Sequence, residues 1–266
     1  ILGLARGFDE GNISGTVVQK AFIKEFGLKD PTKLALELAN LKSNITLMVQ
    51  LGSIGGSIIA MFLTDKLGRI RTLQLCCAWW IVLVIIQITS HSLGQLYVGR
   101  LFEGFAVGQT VVIGPTWISE CAPRAIRGLC NCVFAGAVYF GVMIAYFANY
   151  GTALHMEGQR NLWVIPTSLK IVLAGILFIA LFFCVELPRW YIKVGRHEEG
   201  LAAMSRLRNL PEDHPYVVSE VADVNEQLRE EESDKALSGG HWDLLRELVL
   251  KKLNQYRLFL TILIQV

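Results

Sequence analysis

Charge is scarce in the first two-thirds of this chain. Residues 1–185 hold 23 Asp, Glu, Lys or Arg side chains, whereas the 72 residues from Glu186 to Arg257 hold 25. Across all 266 residues the charged share is 18%, the hydrophobic share 53% and the mean hydropathy +0.43. That is too apolar for an ordinary soluble domain. A net charge of +2, with no dense basic run interleaved with aromatics, excludes a nucleic-acid partner. No G-x-x-x-x-G-K-[ST] loop is present to hold phosphates, which disfavours an ATP-driven pump. No apolar stretch carries Arg at every third position, which disfavours a voltage-gated channel. The six cysteines lack C-x-x-C spacing and sit in or beside apolar runs, so they are expected to be buried thiols rather than zinc ligands or disulfides. No metal, no cofactor and no enzymatic activity are expected. A signal peptide is not expected either: Ile1 is no start methionine and the apolar beginning contains Arg6, Asp9 and Glu10. The chain reads as a fragment that starts inside a helix.

What is abundant is long apolar sequence. A bilayer core of about 30 Å needs about 20 largely apolar residues per helix. Five stretches meet that need: Ile45 to Thr64, Leu73 to Ser90, Leu96 to Ser119 (broken by Arg100 and Glu103), Leu129 to Tyr150, and Thr167 to Val185 with Lys170 in its first turn. A sixth is Ile1 to Phe22, where Gly3, Gly7, Gly11 and Gly15 recur every fourth residue and leave one helix face small enough for close packing. Leu258 to Val266 reads as a seventh span cut short. The expected fold class is an all-α membrane protein, with a six-helix transmembrane bundle over residues 1–185, a linker of short amphipathic helices over 186–256, and the truncated helix over 257–266.

Lys and Arg in short loops set the orientation. Lys66, Arg69 and Arg71 lie between the second and third spans, and Arg124 and Arg127 between the fourth and fifth, so these loops are placed in the cytoplasm. His91 to Gln95 carries no Lys or Arg and is placed outside, together with the mixed-charge connection Gln19 to Ser43 that contains Lys29, Asp30 and Lys33. Beyond Glu186, Val217, Val221, Val224 and Leu228 recur at helical spacing, and Leu244, Leu245, Leu248 and Val249 form a second stripe after Trp242. Pro211, Pro215 and Ser238-Gly239-Gly240 mark the breaks. The alternative for this segment is a disordered linker.

Charges within a span are costly and therefore candidates for function. Glu10 and Glu103 read more readily as passive residues near a helix end or a watery cavity. Asp9 and Arg100 differ, being of opposite sign, each inside an apolar helix, and on the first and fourth spans, which are equivalent members of a three-plus-three inverted repeat. An Asp beside an Arg holds its charge and one deserted in low dielectric takes up a proton. A pair that makes and breaks would thus carry a proton. In the loop Asp65 to Arg71, Gly68 permits a tight turn while Arg69 and Arg71 can reach carboxylates at neighbouring helix ends. Glu120 and Arg127 follow Pro115, and Glu186 and Arg189 flank the end of the sixth span, so these ends could form a latch.

Five pieces in order carry a resemblance: Gly7-Phe8-Asp9 with Ser14-Gly15, the Asp65 to Arg71 loop, Gly99-Arg100 with Gly104 and Gly108, Pro115 to Gly128, and Pro188-Arg189-Trp190-Tyr191 with Gly195-Arg196. The chain resembles the N-terminal half of the sugar porters of the major facilitator superfamily, in a style similar to fungal members. The resemblance implies a transporter in the plasma membrane that moves a sugar-like solute, a hexose, polyol, disaccharide or sugar acid, by alternating access, and that lacks its C-terminal six-helix half here. It implies proton symport, with Asp9 titrating against Arg100, and a cytoplasmic gating network of Asp65, Gly68, Arg69, Arg71, Glu120, Arg127, Glu186 and Arg189. Its partners would be that solute, the proton and the lipid bilayer. Two glutamines that bind sugar in the family fall on Ala135 and Val142, so Tyr139 and Tyr146, on about the same helix face, are the candidates to line the substrate cavity. The alternative function is a nutrient sensor that binds solute without moving it. Asn12-Ile13-Ser14 and Asn44-Ile45-Thr46 match glycosylation acceptors but abut helices and are expected to stay unmodified.

Overall fold

The structure, a computed structural model, describes residues 1–27, 35–123, 125–156, 160–237 and 255–256. Lys29, Asp30, Lys33, Arg124, the break at Ser238 to Gly240, the stripe from Trp242 to Val249 and the expected span from Leu258 lie outside the described residues.

Helices are the only regular elements among the described residues, and the chain divides into two units, Ile1–Trp190 and Tyr191–Val266. In the first unit the helices are α1 (Leu2–Thr16), α2 (Lys20–Glu25), α3 (Ala35–Leu67), α4 (Arg69–Ile88), α5 (Leu93–Cys121), α6 (Arg127–His155) and α7 (Asn161–Leu181). Five of them, α3 to α7, are long and apolar enough to cross a membrane. The expected first span differs: α1 ends at Thr16, and after a break α2 starts at Lys20, so the run to Phe22 is two helices. The last span also differs. Helix α7 begins at Asn161, six residues before the expected Thr167, which puts Lys170 mid-helix rather than in the first turn.

The packing follows a repeat. Helix α3 packs most extensively on α5 and α1 on α6, while α4 contacts α5 and α7, and α1 also contacts α7. Exchanging α1, α3 and α4 with α5, α6 and α7 in order maps this set of neighbours onto itself, as a three-plus-three arrangement requires. Small residues make the tightest pairs possible. A Cβ on Gly7 would overlap the Val138 carbonyl of α6, and one on Gly104 would overlap the Val49 carbonyl of α3. Large apolar side chains such as Ile54, Phe62, Val133, Phe147 and Phe183 are exposed around the bundle, which suits lipid and would be a liability in water. The cysteines correct an expectation: none forms a disulfide, but only Cys76 and Cys77 are buried, while Cys121 and Cys130 are half-buried and Cys132 and Cys184 exposed.

At the end of the bundle holding α2, Glu25 pairs with Arg160 at 3.1 Å and accepts from Trp163 Nε1 at 2.8 Å, beside the packed rings of Phe22 and Phe26. Arg160 Nη2 also donates to the carbonyls of Ile88 and Ser90, at 2.8 and 3.0 Å, closing the C-terminus of α4.

Helix α8 (Pro188–Lys193) spans the division between the units, and the second unit holds α9 (His197–Arg208) and α10 (Pro215–Leu237). Helix α9 carries Glu198 and Glu199 in its first turn, Arg206 and Arg208 in its last, and ends on Asn209 in the left-handed conformation (φ 52°). Each feature favours a helix of these limits. Of the expected stripe on α10, Val217 and Leu228 are buried and Val221 and Val224 half-buried, and Glu220 accepts a two-pronged bond from Arg208 at 2.5 and 2.8 Å.

Candidate functional site

Four charged side chains meet in the interior of the bundle. Asp9 on α1, Arg100 and Glu103 on α5 and Lys170 on α7 are 3%, 1%, 0% and 2% exposed. Glu103 is the hub. Its carboxylate accepts from Arg100 Nη1 at 2.8 Å, Gln87 Nε2 at 2.8 Å, Trp80 Nε1 at 3.0 Å and Lys170 Nζ at 3.2 Å. Asp9 pairs with Lys170 and lies 3.7 Å from Arg100 Nη1. Two carboxylates thus face two cations. Such a set is tolerable in low dielectric only because the charges cancel and the donors are shared.

The Asp9 and Arg100 expected to pair are brought together, but not as an isolated pair. Glu103, read as passive, is the most heavily bonded group of the cluster, and Lys170 bridges both acids. Gln87 and Trp80, on α4, carry no sequence signal of their own beyond being polar-tipped side chains in an apolar run.

From Asp9 a second polar chain runs along α1. Asn12 donates to Thr167 Oγ1 at 3.4 Å, Asn149 of α6 donates to Asn12 Oδ1 at 3.2 Å, and Gln19 donates to Asn149 Oδ1 at 2.8 Å. With its side chain inside this chain, Asn12 is no surface acceptor for a glycan.

At the end of the bundle with the Asp65 to Arg71 turn, the expected network is partly assembled. Gly68 stands at φ +89° as the N-cap of α4 with no side chain to offer the exposed amides. Glu186, 116 residues beyond Ile70, replaces that cap: its carboxylate accepts from the backbone N–H of Arg69 and Ile70, both at 3.0 Å. A Cβ on Gly68 would lie 2.6 Å from Glu186 Oε2, so the turn requires glycine twice over, for its backbone and for its space. Arg69 Nη2 donates to Glu120 Oε1 at 3.2 Å, and Trp190 Nε1 donates to the Asp65 carbonyl at 3.3 Å. Arg71 and Arg127 are instead exposed and make no ion pair with a described residue, and Arg189 is half-buried next to Trp190.

Two cavities open along α1 and α6. One, of about 490 Å³, is lined by Arg6, Glu10, Ser14, Ala135, Tyr139, Val142 and Tyr146 among others. The other, of about 750 Å³, shares Tyr146 and adds Gln19, Lys20, Lys24, Asn149 and Tyr150. Both tyrosines singled out from the sequence therefore face open volume, at 76% and 51% exposure for Tyr139 and Tyr146. Ala135 and Val142 face it too, which leaves no amide at those positions. Arg6, which in the sequence only interrupts the apolar start of the chain, lines the first cavity. Among the described residues no group of three or more His, Cys, Asp or Glu is placed to hold a metal ion.

The geometry can be set beside known proteins. The family described as "Sugar (and other) transporter" matches residues 1–266. A quinate permease of Neurospora terricola is 31% identical over 258 residues, covering 96% of this chain and 47% of that protein. The high-affinity glucose transporter 1 of Candida albicans is 30% identical over 238 residues, covering 89% and 42%. The chain spans about half the length of the curated relatives it matches. Among solved structures, the proton:xylose symporter XylE bound to 6-bromo-6-deoxy-D-glucose superposes with a TM-score of 0.79 at 20% identity, covering 93% of this chain and 53% of that one. A partially occluded inward-open form of the xylose transporter XylE from E. coli gives 0.77 at 19% identity, covering 89% and 59%. The six-helix arrangement with its inverted repeat is that of a major facilitator half, and the chain, a multi-pass integral membrane protein, belongs to the sugar transporter family of that superfamily.

Proposed function

We propose that the chain forms the N-terminal half of a secondary transporter that carries a sugar or sugar-like solute together with a proton across the plasma membrane. The observation that carries this reading is the buried cluster in which Asp9 faces Arg100 and Lys170 beside a cavity lined by Tyr139 and Tyr146. When Asp9 takes up a proton its charge is lost, its ion pairs with Lys170 and Arg100 break, and both cations are left to Glu103. When the proton leaves, the pairs re-form. A symporter needs one site with two such states, each stable in a different orientation of the carrier.

A permease for quinate and a transporter for glucose stand at similar identity to the chain. Both names support a hydroxylated ring compound as the cargo. The end network, with Glu186 on the amides of α4 and Arg69 on Glu120, is the cytoplasmic gating network of this reading, and the segment after Glu186 is the cytoplasmic linker to a second six-helix half. Solute would bind between the two halves, which rock about it.

The test is made in the protein expressed with both halves. Asp9→Asn should abolish accumulation driven by a pH gradient while keeping exchange of labelled for unlabelled solute at equal concentrations. Accumulation that survives the substitution would remove Asp9 from the coupling step. Binding without any uptake or exchange would instead favour a sensor on the same scaffold, a reading that draws on the apolar Ala135 and Val142 in the cavity.

A further inference from the structure

Every cation deep in the bundle has an acid opposite it: Arg100 and Lys170 share Asp9 and Glu103, and Arg69 has Glu120. Arg6 has none. It is half-buried on α1, its Nε is shut off from solvent with no hydrogen-bond acceptor, and it makes no ion pair with a described residue. Glu10 is one turn away in the order Arg then Glu, the less favourable sense for a pair four residues apart on a helix. What Arg6 does reach is the cavity of about 490 Å³, a size that suits a small solute.

We infer that this cavity takes a polyhydroxylated monocarboxylate, with Arg6 receiving the carboxylate and Glu10, Ser14, Tyr139 and Tyr146 meeting the hydroxyls. The inference rests on the transporter reading above and names its substrate class. A guanidinium presents two parallel N–H groups that match the two oxygens of a carboxylate. A half-buried cation with no acid paired to it gains a partner from an anionic solute and none from a neutral sugar. Glu10, a pure acceptor when ionised, suits O–H donors on the far side of the same solute. The adjoining cavity of about 750 Å³ adds Lys20 and Lys24, neither in an ion pair with a described residue. The two linings together hold three cations to one carboxylate, a field that draws anions in. Ala135 and Val142 fit the same picture: with no amides facing the solute, charge replaces neutral hydrogen bonding as the main source of recognition.

The test uses matched pairs, gluconate against glucitol and galacturonate against galactose, with purified full-length protein for binding and proteoliposomes for uptake. The acid of a pair should bind more tightly than its neutral partner. Arg6→Gln should weaken the acid about 10- to 100-fold, the loss of a charged hydrogen-bonding partner, and leave the neutral compound within about threefold. Arg6→Lys should recover part of the loss, which also shows that the site survives substitution. Equal weakening of acid and neutral compound, a wild type that prefers the neutral member, or binding of neither member of either pair would overturn the inference. If acids bind through Arg6 but are never moved, the inference stands and the transporter reading falls. If a neutral polyol is accumulated regardless of Arg6, the transporter reading stands and the inference falls.

Discussion

Lys170→Met removes one charge from the buried cluster at nearly constant side-chain length. In the wild type, Lys170 serves Asp9 and Glu103 at once, and the four charges sum to zero. The variant leaves two carboxylates to one guanidinium. Removing one partner of a buried ion pair costs about 3–5 kcal/mol, most of it the uncompensated charge left behind. For a chain of this size each kcal/mol lowers the melting temperature by about 2–4 °C. The expected fall is therefore roughly 6–20 °C, read from the loss of the monodisperse peak of detergent-solubilised protein after heating. The sharper measurement is the cycle with Glu103→Gln. That single change leaves two cations to Asp9 alone and should also destabilise. The double variant restores one carboxylate to one guanidinium, Asp9 to Arg100, and should lie at least about 2 kcal/mol above the sum of the singles. Additivity to within about 0.5 kcal/mol would refute the reasoning, because it would mean that Lys170 and Glu103 do not feel each other's charge.

Two further changes test the frame that holds the site. Glu186→Ala strips the amides of Arg69 and Ile70 of their acceptor and should cost about 0.5–2 kcal/mol, the usual value of a cap, with faster proteolysis at the Asp65 to Arg71 turn as the local readout. An unchanged cleavage rate would show that the cap contributes nothing there. Gly7→Val should drive α1 from α6, since even a Cβ overlaps the Val138 carbonyl; a loss of about 1–3 kcal/mol or more should appear as reduced folded protein in membranes, and wild-type yield would contradict the close approach.

Much of the bundle is legible in sequence because lipid imposes a simple length rule, and the five long spans follow it. The glycines of α1 are legible for a related reason: a four-residue period on one helix has few meanings other than a near neighbour, which proves to be α6. Asp9 and Arg100 stand out because charges of opposite sign lie inside two apolar helices that are equivalent members of the repeat. Glu103 is masked by lying three residues from Arg100, where it reads as a local companion rather than the centre of bonds from α4, α5 and α7. Lys170 is hidden by a rule that counts charge-free residues. It starts the span at Thr167, whereas Pro166 sits within a helix that begins at Asn161. The capping role of Glu186 has no local signature at all, since the amides it serves lie more than a hundred residues earlier. Arg71 and Arg127, grouped with the network on sequence grounds, are exposed in the structure and make no ion pair with a described residue.

The positions of Arg6 and Asp9 give coupling a short route. They are three residues apart on α1, with Gly7 between them pressed against α6, so neither can move far without the other. Arg6 turns to the cavity and Asp9 to the cluster of α5 and α7. On the reading proposed above, an anion received at Arg6 adds negative charge within about one helical turn of Asp9. A proton on Asp9 offsets that charge, and Coulomb interaction over this distance in a poorly screened interior is strong. The solute therefore favours the proton, and by linkage the proton favours the solute to the same degree. No chain of conformational relays is needed for the two to be taken up together. Because the carried pair is then one anion with one proton, it is neutral, and the membrane potential that would drive a neutral sugar with its proton has nothing to pull on.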